Sequence, residues 1–168
     1  MKINIAEIRR MEGATLHYEL EDRFPAIEFD KETIVFIQPV HVKLQVTNAG
    51  DTLVARGSVQ TEMSASCGRC LEGFTFPLVV LYEDEWVTAQ RATEEQAETA
   101  LLFEKDEIEI QERIVEQILL ALPMKRLCSA ACRGLCPACG QNLNLGQCQC
   151  QEQRIDPRMM DLAKWRQD

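Results

Sequence analysis

The stretch V40-HVKLQVTNAGDTLVARGSVQTE-M63 decides the fold. Val40, Val42, Leu44 and Val46 fall on one side of an extended chain, and His41, Lys43, Gln45 and Thr47 on the other. This period of two marks a strand with one dry and one wet face. Asn48-Ala49-Gly50-Asp51 is turn chemistry. Leu53, Ala55, Gly57, Val59, Thr61 and Met63 then alternate again, so the pair reads as a β-hairpin. Past the segment CGRCLEG (67–73), Phe74, Phe76, Leu78 and Val80 begin a third strand. Upstream, Ile3/Ile5 and Leu16/Tyr18/Leu20 alternate more weakly, and IVFI (34–37) is a short buried candidate. The first 85 residues therefore read as a mostly antiparallel β unit.

Downstream the pattern changes. TAQRATEEQAETALLFEKDE (88–107) is acidic and lacks periodicity, and reads as a long loop or loose helix. In IQERIVEQILLALPM (110–124), Ile114, Ile118 and Leu122 recur every fourth residue with Val115 and Leu119 beside them. That spacing predicts an amphipathic helix over about 108–122, closed by Pro123, with its apolar stripe covering the sheet. Near the end, Asp156 is a candidate N-cap and Pro157 a first helical residue, with Met159, Leu162 and Trp165 as a short stripe. The expected class is α+β: an antiparallel β unit covered by an amphipathic helix, with a small cysteine-rich zinc-binding C-terminal segment. The division falls at 1–123, which includes an acidic segment at 81–112, and 124–168.

Composition narrows the function. The chain has 168 residues, 46% of them apolar, enough for a core. Its start, MKINIAEIRRMEG, lacks the apolar run of a secretory signal, and no stretch approaches a membrane span. The expected location is the cytoplasm. The net charge of −9 is uneven. Residues 81–112 hold eleven acids and two bases, whereas 123–168 hold seven bases and four acids. A field of this sign repels nucleic acid, so contact with RNA has to be local to the tail. Lys125, Arg126, Arg133, Lys164 and Arg166 are the candidates there, and Trp165 is a candidate for stacking on a base. Solvated charge and helix packing are the commoner roles of such residues. Glu83, Asp84 and Glu85 read as an acidic solvated loop rather than a cation site.

The eight cysteines come in close pairs: Cys67/Cys70, Cys128/Cys132, Cys136/Cys139 and Cys148/Cys150. In a reducing compartment, paired thiols point to metal before disulfides. Two cysteines two residues apart can turn both sulfurs to one ion, and a second pair completes the tetrahedron. In CPACG, Pro137 presets φ and Gly140 can take positive φ, which suits a metal knuckle. With Cys148 and Cys150 it can close one site within the tail. Cys67 and Cys70 form half a knuckle, and Cys128 and Cys132 can supply the other half. Other partitions are open. Four thiolates suit zinc, or a single iron, and zinc is the better match, as one or two structural ions. Four cysteines leave no coordination position for a substrate. A thioredoxin-like redox role for CGRC conflicts with its antiparallel flanks. His17 and His41, the two histidines, fall on wet strand faces, and no nucleotide-binding or nucleophile motif occurs. No catalytic constellation stands out, and a small-molecule substrate is not expected.

The order of SCGRCLEGFTFPL (66–78), an acidic stretch, IEIQERIVEQILLALPMKRLC (108–128), CRGLCPACGQNLN (132–144) and DPRMMDL (156–162) resembles the bacterial YceD family. The likeness spans about residues 40–165, and Cys67, Arg69 and Cys70 match the family's C-x-R-C. The resemblance implies a non-enzymatic, metal-binding and nucleic-acid-associated factor. Its role would be to support synthesis, processing or accumulation of large-subunit (23S) ribosomal RNA. The implied partners are the large-subunit RNA precursor or ribosome assembly proteins. Two alternatives stand beside it: an assembly adaptor that uses the acidic segment, and a thiol redox or zinc sensor.

Overall fold

The structure is a computed structural model and describes residues 1–29, 32–89, 92 and 101–150. Its strands are β1 (Lys2–Asn4), β2 (Thr15–Asp22), β3 (Ile27–Phe29), β4 (Glu32–Phe36), β5 (Val40–Asn48), β6 (Thr52–Ser66), β7 (Gly73–Thr88), β8 (Leu101–Phe103) and β9 (Glu107–Glu109). Among the described residues one α-helix, α1, spans Gln111–Ala121.

The β5–β6 hairpin forms as the alternation predicts, with Asn48 opposite Leu53 and Val42 opposite Val59. Val40, Val42, Leu44 and Val46 are buried, while His41, Lys43 and Gln45 face water. Asn48, also buried, locks the turn. Its amide donates to the Ile8 carbonyl at 2.7 Å, and its side-chain oxygen accepts from Gly50 N–H at 2.8 Å. Gly57 lies opposite Leu44, where a Cβ would sit 1.9 Å from the Lys43 carbonyl oxygen. Only glycine permits that approach of the two backbones.

β6 organises the sheet. β5 pairs with it on one side, followed by β4, and β2 and β3 extend those two outward. β7 pairs antiparallel along the length of β6, from Thr52–Val87 to Ser66–Gly73, and carries the short parallel strand β8 at its far end. β1 and β9 form a separate antiparallel ribbon that matches Ile3 with Ile108. The dry faces of these strands share one core with Ile114, Ile118 and Leu122 of the helical segment. α1 lies against β7, with Ile114 and Ile118 fully buried.

Four expectations change. The helix begins at Gln111 rather than near 108, because Ile108 is committed to β9. Glu83, Asp84 and Glu85 are not a loop but lie in the second half of β7, residues 81–88. Within them Asp84 points inward, and Arg113 of α1 grips it with two hydrogen bonds, at 2.7 and 3.2 Å. Of the stretch expected as a long loop or loose helix, Leu101–Phe103 forms β8 and Glu107 opens β9, while residues 90–91 and 93–100 lie outside the described residues. In IVFI only Ile34 is deeply buried; Val35 and Ile37 are exposed. The expected final helix, with Asp156, Pro157, Met159, Leu162 and Trp165, lies outside the described residues. Among the described residues, no helix is long and apolar enough to cross a membrane.

Candidate metal centres

The tip of the β6–β7 hairpin is residues 67–72, the CGRCLE stretch between the last paired residues, Ser66 and Gly73. Its six residues fold as a knuckle. Cys67 N–H donates to the Glu72 carbonyl at 2.9 Å, and Leu71 N–H donates back to the Cys67 carbonyl at 2.9 Å. The CPACGQ stretch repeats this. Cys136 N–H donates to the Gln141 carbonyl and Gly140 N–H to the Cys136 carbonyl, both at 2.8 Å. The residue after each second cysteine turns left-handed: Leu71 has φ +61° and Gly140 φ +75°. The chain thus carries two copies of one backbone device, each presenting two sulfurs.

Each knuckle meets a second cysteine pair. The sulfurs of Cys67, Cys70, Cys128 and Cys132 lie within 4.8 Å of one another, and so do those of Cys136, Cys139, Cys148 and Cys150. Across the first group, Cys67 to Cys132 is 3.8 Å and Cys70 to Cys128 is 3.7 Å. A zinc ion with bonds of about 2.3 Å to four tetrahedral sulfurs sets its S···S edges at about 3.8 Å. A disulfide requires about 2.05 Å, and all eight cysteines are free thiols. Among the partitions open from sequence, the fold selects this one.

The donor set also suits a cation. The backbone N–H groups of Cys128 and Cys70 point at the Cys67 sulfur and bring its pKa down to about 6. Those of Cys139 and Ala138 do the same for Cys136, also to about 6. Others move the opposite way. Desolvation and the neighbouring Cys132 and Cys70 thiols push Cys128 up to about 12, and the Cys139 thiol followed by desolvation pushes Cys150 to about 12. Against desolvation, the Asn144 side-chain amide and the Gly134 N–H lower Cys132 as well. The first cluster thus holds two lowered and two raised thiols and the second one lowered and two raised, the behaviour of converging sulfurs whose ionisation a divalent cation would complete.

Polar groups outside the sulfurs join the centres. Arg69 of the first knuckle donates to the Cys132 carbonyl at 2.9 Å, and its own carbonyl accepts from Leu135 N–H at 3.2 Å. Asn144, between the pairs of the second centre, donates to the Cys132 sulfur at 3.3 Å, and Asn142 reaches Glu72 at 3.4 Å. Sequence reading passed over both asparagines. Their signal was the Asn-Leu-Asn run inside a metal loop, where short amides commonly bond locally.

The candidate phosphate contacts separate. Lys125 and Arg133 are exposed. Arg126 is not a surface charge. It is buried, paired with Glu32 at 3.1 Å and placed 5.6 Å from the centre of the Phe29 ring, so the expectation of RNA contact there is corrected. Its carbonyl accepts from Gly68 N–H at 2.8 Å, which fastens the hairpin tip to the tail. Lys164 and Arg166 lie outside the described residues.

Fold and site together define an antiparallel β-sheet protein with two four-cysteine clusters able to hold metal. The chain belongs to the YceD family: the family model described as "Large ribosomal RNA subunit accumulation protein YceD" matches residues 55–165, a span that contains all eight cysteines. An uncharacterized protein of Mycobacterium tuberculosis is 26% identical over 172 residues, covering 98% of this chain and 80% of that one. The maize protein named "Large ribosomal RNA subunit accumulation protein YCED homolog 1, chloroplastic" is 24% identical and covers 70% of this chain and 50% of its own length. Its Arabidopsis thaliana counterpart is 36% identical over 53 residues, 32% of this chain and 16% of that protein. No solved structure matches.

Proposed function

We propose that this chain is a non-catalytic, cytoplasmic ribosome-biogenesis factor that supports accumulation of large-subunit ribosomal RNA, and that its two cysteine clusters hold structural zinc. The observation that carries the process is the family match over residues 55–165, supported by the names of the plant relatives. The zinc reading rests on the sulfur geometry, the first-centre edges of 3.7 and 3.8 Å above all. Cys67, Cys70, Cys128 and Cys132 would hold one ion, and Cys136, Cys139, Cys148 and Cys150 the other. Bound there, zinc supplies folding free energy and leaves no position for substrate, which supports a scaffold rather than an active site.

Direct RNA contact would run through Lys125 and Arg133 beside the first centre. A second reading, contact with a basic assembly protein, is favoured by one feature. A groove of about 480 Å³ between β8, β9 and α1 has Trp86, Leu101 and Ile108 in its lining, with Glu104, Glu107 and Glu112 among its charged groups. Crosslinking and co-sedimentation of the tagged full chain with large-subunit precursors tests the proposal. Enrichment over a Cys67→Ser/Cys70→Ser control is expected, and its absence would overturn the RNA-precursor reading. Glu104→Gln with Glu112→Gln separates the two modes: loss of protein crosslinks with RNA crosslinks intact selects the groove. Elemental analysis should find two zinc ions per chain.

A further inference from the structure

The two centres repeat one knuckle but do not sit alike in the fold. We infer that the second, Cys136–Cys139–Cys148–Cys150, is an exchangeable metal site, and that the loop it closes caps the first. This rests on the zinc reading above.

Access to sulfur controls how fast a thiolate-bound ion leaves, because an incoming ligand or proton has to reach the metal or its donors. In the first centre three of the four donors are shielded: Cys67, Cys70 and Cys132 are 0%, 4% and 5% exposed and form an apolar cluster with Phe74, Leu127 and Leu135, while Cys128 is exposed. Two of its donors ride on the end of the β6–β7 ladder. In the second centre only Cys136 is buried; Cys148 and Cys150 are half-buried and Cys139 is exposed. All four of its donors come from the segment 136–150, where the regular pairing is the single bridge of Leu135 with Asn142. The first site is therefore the better shielded, with three buried donors against one, and the better anchored; the second is more open and held mainly by its own ion.

The coupling has a direction. Between Cys139 and Cys148 the chain folds back over the first centre. Leu143 N–H donates to the Gly134 carbonyl at 2.9 Å, Asn144 to the Cys132 sulfur at 3.3 Å, and Asn142 to Glu72 at 3.4 Å. Arg133 N–H fixes Asn144 through its side-chain oxygen at 2.7 Å. These contacts lie on the segment whose two ends the second ion ties together. Loss of that ion releases the segment, withdraws the amide from Cys132 and uncovers the first centre. Zinc thus leaves in order, second centre before first, and returns in the reverse order.

Zinc release from the full-length loaded chain into excess 4-(2-pyridylazo)resorcinol tests this. Two phases of equal amplitude are expected, the faster at least tenfold quicker. Cys148→Ser with Cys150→Ser should bind one zinc, lose the fast phase and speed the remaining one. Asn144→Ala keeps every ligand, and should leave the fast phase unchanged while accelerating the slow one about 10- to 100-fold, the usual effect of removing an outer hydrogen bond to a metal ligand. A single phase for two bound ions, or a fast phase that survives in the double variant, overturns the hierarchy. An unaltered slow phase in Asn144→Ala overturns the cap. A chain that takes up no zinc overturns the zinc reading and the inference with it, and so is told apart from two ions that leave together.

Discussion

Leu71 and Gly140 occupy the same place in the two knuckles, which allows a matched test of the metal-knuckle reading. Leu71 holds φ +61° although it carries a Cβ, and its side chain is 68% exposed. A left-handed L-residue costs about 1–2 kcal/mol. Little buried area offsets that cost here. Glycine removes the strain but adds roughly 0.5–1 kcal/mol of unfolded-chain freedom. Leu71→Gly should therefore favour the closed knuckle by about 0.5–1 kcal/mol. Where the knuckle closes on metal, this appears as a first-centre zinc affinity about 2- to 5-fold tighter, since about 1.4 kcal/mol is tenfold. At Gly140, φ is +75° and an added Cβ would meet nothing within 4 Å. Gly140→Ala then meets the same two opposing contributions with their signs reversed and should weaken the second centre by a similar factor. Competition against a chelator of known affinity measures both. A weaker first centre in Leu71→Gly would refute the reasoning, because it would mean that the exposed leucine makes a contact that outweighs its strain.

Three further outcomes follow from the packing. The cysteine cluster is separate from the sheet core, so chelation should unfold residues 124–150 and leave the β signal in far-ultraviolet circular dichroism; collapse of both together would contradict two separate cores. Asp84→Asn strips the partner from Arg113 and should cost about 3 kcal/mol in urea unfolding, at the low end for a broken buried pair because Arg113 keeps Glu116; an unchanged midpoint would show that the pair is solvated. Gly57→Ala drives a methyl into the Lys43 carbonyl and should destabilise by about 1–3 kcal/mol or more, read from the same midpoint; a neutral result would place the two strands further apart than the structure does.

The strands legible in the sequence are those with one wet face. β5, β6 and β7 alternate because water covers one side of each. β8 and β9 are three residues long, and their pairing is set by Trp86 to Thr88 and by Lys2 to Asn4, so no local period marks them. Asp84 and Arg126 were misread for a related cause. Burial of a charge depends on its partner, and Arg113 and Glu32 stand 29 and 94 residues away. The cysteine pairs were visible as spacing, but which pair meets which depends on where the hairpin ends. The ladder closes at Ser66–Gly73 and leaves six residues for the tip. A slip of one residue between β6 and β7 would turn Val59 and Met63 to solvent and carry Cys67 to the opposite face, away from Cys132. The same hydrophobic alternation that opens the sequence therefore holds the first metal centre in register. A substitution that loosens register in the sheet should scatter these sulfurs before it melts the core.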